Sequence, residues 1–288
     1  MPREVLHWLQ TAPQHTVLDG TVGAGGHSLQ ILQRLGPEGR LIGIDRDPLM
    51  LRHAAARLDD PRVTLVNSSY ADAQQILQEL QLPGVDRVLL DLGLSSDQLA
   101  DGERGFGFDA GGPLDMRFNP ATGRPAAELL QESSAEELER IFRTWGEEAA
   151  ASKIAAVVLY RRRTGRSLET AADLLDCVAD VCGPLRSDSG RSAAARIFQA
   201  MRIAVNQELQ HVESMLTNVL PRILLPGGIV VIISFHSLED RIVKHALKGT
   251  HGWQLLTKTP VEAMPAEIRI NPRSRPAKLR AARWQPAL

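Results

Sequence analysis

The sequence predicts an α/β fold: a parallel sheet made of strand–helix repeats and interrupted by an inserted helical domain. Three observations predict it. The first is the stretch Thr16 to Ser28. There a short apolar run, Val17-Leu18, ends in Asp19, passes through Gly20, Gly23, Gly25 and Gly26, and opens into an amphipathic segment reaching Leu35. That is the grammar of a strand, a tight turn and a helix. The second is that two further apolar runs, Leu41–Ile44 and Val88–Leu90, also end in acids, Asp45 and Asp91. A parallel sheet delivers all its carboxyl ends to one edge, where such sheets bind ligands. The third is a gap. After Asp91 the next convincing buried strand is Ile229–Ile233, although a crossover needs only about a dozen residues.

With 288 residues, 43% hydrophobic and 23% charged, the chain has an ordinary globular composition and room for one large domain or two unequal ones. Its net charge of -1 confines any nucleic-acid surface to a local patch. Cys177 and Cys182 lack metal-ligand spacing and read as core thiols, so no metal site is expected. No run approaches the ~20 apolar residues of a membrane span, and no signal peptide opens the chain. A cytoplasmic location without membrane contact is therefore expected.

In order, a short helix, Glu4 to Gln10, leads into the first strand. The turn after it needs glycines because side chains would hold the backbone off a ligand and some positions need φ > 0. A dinucleotide fingerprint reads G-x-G-x-x-G/A, and counted from Gly23 its last position falls on Ser28. The pattern here is Asp-x-x-x-Gly-x-Gly-Gly instead, and its acid suits a cationic ligand group such as an aminoacyl amine. Leu41–Asp45 is the second strand. Asp47-Pro48 starts the next helix, with Asp47 as N-cap. Asp45 is thereby left to accept both hydroxyls of a ribose. Val63–Val66 gives a third strand, Asp72–Leu80 a helix and Asp86–Asp91 a fourth strand.

The insertion opens with a Gly- and Pro-rich loop from Arg104 through Asn119-Pro120. Ser134 to Glu137 reads as a capping box, and Leu138, Ile141, Phe142 and Trp145 as an apolar stripe. Lys153–Arg163, Leu168–Val181 and Ala193–Leu220 also read as helical, and Tyr160 to Arg163 as a helix end. The expected domains are residues 1–103, an inserted helical substrate-recognition domain at 104–205, and 206–288 with a basic tail. After the strand at 229, Ser234-Phe-His-Ser237 passes into a helix with Ser237 as N-cap, and His236 is either an active-edge or a turn residue. From Arg269 to Arg283 the chain holds basic residues and no acid. Broken by prolines, this run reads as a phosphate-contacting patch.

These residues resemble the bacterial ribosomal small-subunit RNA (cytosine-N4)-methyltransferases, the MraW/RsmH family, over nearly the whole chain. The matching stretches are Asp19 to His27, Ile44 to Pro48, Leu90 to Ser96, Arg104-Gly-Phe, Pro113 to Arg117, Asn206 to Leu209, Ser234 to Arg241 and Asn271 to Arg275. The resemblance implies a Rossmann-like class I methyltransferase sheet with an inserted helical domain, and S-adenosyl-L-methionine as cofactor. It implies methylation of the exocyclic N4 of a cytidine in the decoding centre of small-subunit ribosomal RNA. The partner would be that RNA or the assembled small ribosomal subunit, with a homodimer left open. By motif match the cofactor contacts fall to Gly25, Gly26, His27, Asp45, Asp91 and Gln98, and Tyr70 stands where the family has an aromatic residue over the adenine. Asp19 and Gly23 of the same turn complete the expected set. The segment before the glycine turn, Gly112, and Phe118-Asn119 depart from the family pattern.

The N4 lone pair is delocalised into the cytosine ring. Acceptors on the amino protons would localise it and later take the proton. Asp91 is placed for this, with Asp109 and Asp115 of the Gly/Pro-rich loop as the other candidates. A target base has to leave its stack, so that loop and Arg273, Arg275, Lys278 and Arg280 are expected to hold the RNA. Two rival readings are a nicotinamide-dependent dehydrogenase, opposed by Ser28 and Asp19, and a non-catalytic RNA-binding assembly factor, opposed by the acids at three strand ends.

Overall fold

A computed structural model describes residues 1–107, 112–249 and 252–286. The chain forms two compact units, Met1–Gly93 with Leu209–Leu288, and Leu94–Glu208.

The first unit is a sheet with helices on both faces. Its strands are β1 (Thr16–Asp19), β2 (Arg40–Asp45), β3 (Val63–Asn67), β4 (Val85–Asp91), β5 (Leu224–Ser234), β6 (Trp253–Leu255), β7 (Val261–Glu262) and β8 (Lys278–Trp284). Among the described residues they lie in the order β3-β2-β1-β4-β5-β8-β6, with β7 beside β8. The pairings from β3 through β5 are parallel, and β8 runs antiparallel to β5. Side chains alternate between the faces of a strand. Leu18, Ile42, Ile44, Val88, Leu90, Val230 and Ile232 therefore join one core. Val17, Leu41, Leu89, Ile229, Val231 and Ile233 join the other. Burial on both faces is why these strands read as unbroken apolar runs. The helices Ala73–Glu79 and Ser237–Gly249 cover the first face with Ile76, Leu77, Val243 and Leu247. Pro2–Leu9 and Gly26–Leu32 cover the second with Val5, Leu9, Ile31 and Leu32. Each such side chain contributes about 1.5–3 kcal/mol, so Leu89→Ala should cost on the order of 2–5 kcal/mol. The strand order reverses between β1 and β4, which makes their carboxyl ends the switch point where ligands bind.

One sequence expectation is corrected here. The basic C-terminal tail is not a tail, because Lys278–Trp284 is an interior strand paired with both β5 and β6. Leu279, Ala281 and Ala282 are buried within it. The arginines between them hid the strand's apolar character.

The second unit is helical: Ser96–Ala100, Ala126–Glu132, Ala135–Gly146, Ala151–Arg163, Ala171–Cys182 and Asp188–Asn206. It starts at Leu94 rather than at 104, because Leu94 and Leu99 pack on the core formed by Leu138, Phe142, Ile154, Leu174 and Ile197. Ser134 caps its helix by accepting the Glu137 N–H at 3.2 Å. Complete capping boxes occur at Ser95/Gln98 and Thr170/Asp173. Gly146 lets two helices close, since a Cβ there would lie 2.8 Å from the Arg196 carbonyl oxygen. The helix expected from Ala193 to Leu220 breaks at Gln207, whose φ of 52° ends Asp188–Asn206 before Glu208–Ser214 begins.

Candidate functional site

β1, β2 and β4 end in Asp19, Asp45 and Asp91, and each acid stands in a different environment. Asp19 is 1% exposed. Its carboxylate accepts the Thr21 N–H at 3.1 Å and the Ser28 hydroxyl at 2.7 Å. Burial raises its pKa, with those two hydrogen bonds pulling the other way. Asp19 thus ties the glycine turn to the helix behind it. The structure shows it as an internal anchor, because the side chain is almost wholly buried with a donor from the fold on each oxygen.

Asp45 accepts the Gly23 N–H at 2.8 Å on one oxygen and the Asp47 N–H at 2.9 Å on the other. Burial pushes its pKa up to about 6 against those bonds. Each oxygen keeps a second lone pair, so the carboxylate can accept two hydroxyls. Helix entry belongs to Asp47, whose side chain accepts the Leu49 N–H at 2.9 Å.

Asp91 differs again. Its N–H donates to the Thr21 hydroxyl at 2.6 Å, which fixes the end of β4 to the glycine turn. Oδ2 lies 3.5 Å from Nε2 of His27. Oδ1 is buried and meets no hydrogen-bond donor among the described residues. Burial alone would lower the His27 pKa, but Asp91 and Asp19 outweigh it and raise it. An unpaired buried acceptor costs about 1–3 kcal/mol, and an incoming ligand N–H would remove that cost.

The glycines fit a ligand that lies against backbone. Gly23 and Gly25 adopt φ of +52° and +80°, and a Cβ on Gly26 would meet open space. At Gly20 a Cβ would lie 2.6 Å from Leu90 and 2.9 Å from the Cβ of Tyr70. Tyr70 opens a short turn after β3, capped by Ser69, whose hydroxyl accepts the Ala71 N–H at 3.1 Å.

Two of the expected site residues fall in the second unit. Gln98 is buried, and its Oε1 accepts the Ser95 N–H at 3.0 Å in the capping box. Asp115 accepts the Arg117 N–H and Nε, both at 2.9 Å, and Nη2 at 2.6 Å. Burial opposes the shift, but Arg117 holds the Asp115 carboxyl below its usual range. Asp115 is therefore a weak base and an anchor of its loop. Asn206 pins the same loop by accepting the Phe118 N–H at 2.8 Å and donating to the Met116 carbonyl at 2.7 Å. Asp109 lies outside the described residues.

Of the expected RNA contacts, Arg273 and Arg275 are exposed. Lys278 is 41% exposed, with Nζ 3.7 Å from Asp240. Arg280 is corrected: its guanidinium is 10% exposed and binds Asp240 through two bonds of 2.7 and 3.1 Å. It holds β8 to the helix Ser237–Gly249 and is not placed for a phosphate. His236 takes the capping role expected of Ser237, since its carbonyl accepts the Asp240 N–H at 3.1 Å and its Nδ1 the Glu239 N–H at 3.4 Å.

Sequence does not single out Thr21, Ser28 or the pair Ser69–His211 as site residues. Ser28 carries a signal, since it occupies the fingerprint's last glycine position with a hydroxyl that Asp19 uses. Among the described residues no group of three or more His, Cys, Asp or Glu side chains could hold a metal. No helix among them is long and apolar enough to cross a membrane.

The family model described as the MraW methylase family matches residues 1–285. A protein of Sorangium cellulosum named ribosomal RNA small subunit methyltransferase H is 46% identical over 283 residues, covering 98% of this chain and 88% of its own. One of the same name from Elusimicrobium minutum is 43% identical, covering 98% of this chain and 96% of its own. Among solved structures, an rRNA methylase from Streptococcus thermophilus is similar over 99% of this chain and 94% of its own, at 10% identity and a TM-score of 0.41.

Proposed function

Because the chain belongs to the MraW methylase family, it is an S-adenosylmethionine-dependent methyltransferase, and we propose that it methylates the exocyclic N4 of a cytidine in the decoding centre of small-subunit ribosomal RNA. The observation that carries the reading is the family match over 1–285, joined by relatives named for small-subunit ribosomal RNA at 46% and 43% identity.

The cofactor supplies a methyl already activated on sulfonium. The protein's share is alignment and proton handling. Asp45 holds a ribose through its free lone pairs, the glycine turn admits the cofactor against backbone, and Tyr70 presents its ring to the adenine. Asp91 carries a buried oxygen with no donor among the described residues, so it can accept an N4 proton, localise the lone pair and hold the nucleophile in line at ~3 Å. Asp115 is less suited, because Arg117 already occupies its carboxylate. The exposed Arg273 and Arg275, with Lys278, contact RNA phosphates. The helical unit binds the RNA around the target, and the reaction takes place in the cytoplasm.

Mass spectrometry of ribosomal RNA nucleosides from cells with and without this protein tests the proposal. Loss of N4-methylated cytidine at one decoding-centre position supports it, and an unchanged nucleoside profile refutes it. Transfer of labelled methyl to free RNA and to assembled subunits in parallel identifies which is the substrate.

A further inference from the structure

The turn that carries Tyr70 is held by a contact from far along the chain. The Ser69 hydroxyl lies 2.7 Å from Nδ1 of His211. The same oxygen accepts the Ala71 N–H at 3.1 Å, and Ser69 is 7% exposed. The Tyr70 and His211 rings meet edge to face, with centroids 6.4 Å apart. The Tyr70 Cβ also lies close to Gly20, where an added methyl group would stand 2.9 Å from it. A hydroxyl that accepts one N–H still has its own proton to give. Burial, with Arg46 nearby outweighing Asp72, lowers the His211 pKa, and the neutral ring bonds the hydroxyl through Nδ1 in either tautomer, taking its proton or donating to its second lone pair.

We propose that His211 is a positioning residue for the adenine half of the cofactor: through Ser69 it fixes the turn from Ser69 to Ala71, so that the Tyr70 ring is set before the nucleoside arrives. This rests on the reading that Tyr70 faces the adenine. His211 does not touch the cofactor or the reacting atoms. Its effect is preorganisation, which removes an ordering cost from binding. The effect therefore falls on cofactor affinity and leaves the chemical step alone.

The test compares variants of the full chain by KM for S-adenosylmethionine, kcat on ribosomal RNA and Kd for S-adenosylhomocysteine. His211→Leu should raise KM and Kd by about three- to tenfold, the range of one neutral hydrogen bond, with kcat within about twofold of the original. His211→Asn offers an oxygen near the place of Nδ1 and should restore most of the affinity. Ser69→Ala also removes the bond to the Ala71 N–H, so it should weaken binding at least as much as His211→Leu, and the double variant should be no worse than Ser69→Ala alone, because the two changes share the Ser69–His211 bond. Additive effects, a fall in kcat at unchanged KM, or no rescue by Asn would overturn the inference. Tyr70→Ala separates the two levels. If it leaves Kd unchanged, the adenine reading of Tyr70 fails. If it weakens binding while His211→Leu does not, the adenine reading stands and the role of His211 is refuted.

Discussion

If Asp45 holds the cofactor ribose as proposed, cofactor affinity should depend on pH in a way set by the surroundings of its carboxylate. Burial sets its pKa at about 6, although the Gly23 and Asp47 N–H groups stabilise the charged form. Ribose hydroxyls donate to the carboxylate, so they favour the ionised form and compete with the proton. Affinity should therefore be full well above pH 6 and should fall as pH drops through it. At pH 5 about one tenth of the apoprotein would be ionised, which weakens binding about tenfold relative to pH 8. Stability of the apoprotein runs the other way. A folded pKa of about 6 lies above the ordinary 3.8, so the contribution of Asp45 is greatest at low pH and is lost as pH rises towards 6. The assay is calorimetric titration with S-adenosylhomocysteine, which keeps the ribose and cannot react, on the original protein and Asp45→Asn from pH 5 to 8. The variant should bind about 2–3 kcal/mol more weakly at pH 8, the scale of charge-assisted bonds, and its affinity should lose most of the dependence. His27 has a raised pKa and is present in both proteins, so the difference between the two curves isolates Asp45. Parallel curves would refute the reasoning.

Asp91→Asn should bind cofactor within several-fold of the original while single-turnover methyl transfer falls by ~10²–10⁴; rescue of the rate by saturating cofactor would reduce Asp91 to a cofactor ligand. Asp115→Asn should lower stability by about 1–3 kcal/mol in denaturant melts and leave the rate within several-fold, and a hundredfold slower rate would move the proton-accepting role to the loop. Replacing Arg273, Arg275 and Lys278 with alanine should weaken RNA binding and flatten its salt dependence by roughly 0.7–0.9 for every phosphate left without its cation, so an unchanged slope would make them a solvated face. Arg280→Met should cost about 1.5–3 kcal/mol by removing the charge-assisted bonds to Asp240, which keeps only Lys278 at 3.7 Å, with RNA affinity unchanged, and a stable variant defective in RNA binding would contradict the assignment.

The parallel strands were legible because burial on both faces turns each into an apolar run, and the terminal acids of β1, β2 and β4 marked its end. The helical unit was legible through stripes such as Leu138, Ile141 and Phe142, which join its core. β8 was not. Arg280 and Arg283 interrupt its apolar positions, and the partner that compensates Arg280, Asp240, is 40 residues away. At the site, sequence pointed to the acids at the rim but not to their partners. Thr21 reaches Asp91 across 70 residues and Ser69 reaches His211 across 142, so no local spacing signals either pair. Asp115 was visible as an acid in a loop. Its capture by Arg117 depends on the backbone turning there, where Met116 adopts φ of 62°.

The three rim acids show why topology alone does not assign chemistry. Asp19, Asp45 and Asp91 hold the same position, the last residue of a parallel strand at one sheet edge. What separates them is the donors supplied from inside the fold. Asp19 has a hydroxyl and an N–H and almost no exposure, so no lone pair is left facing solvent and its charge shapes the turn. Asp45 has one N–H on each oxygen, enough to orient it but not to exhaust it, which suits a group that must hold two hydroxyls without reacting. Asp91 has a hydrogen-bonded backbone, a histidine at 3.5 Å and one buried oxygen with no donor among the described residues. An internal N–H donor stabilises the charged form of a carboxylate and so opposes protonation, whereas an oxygen that meets no donor carries no such opposition. Of the three, only Asp91 has a buried oxygen that meets no donor among the described residues, which is the ground for proposing it as the acceptor of the N4 proton.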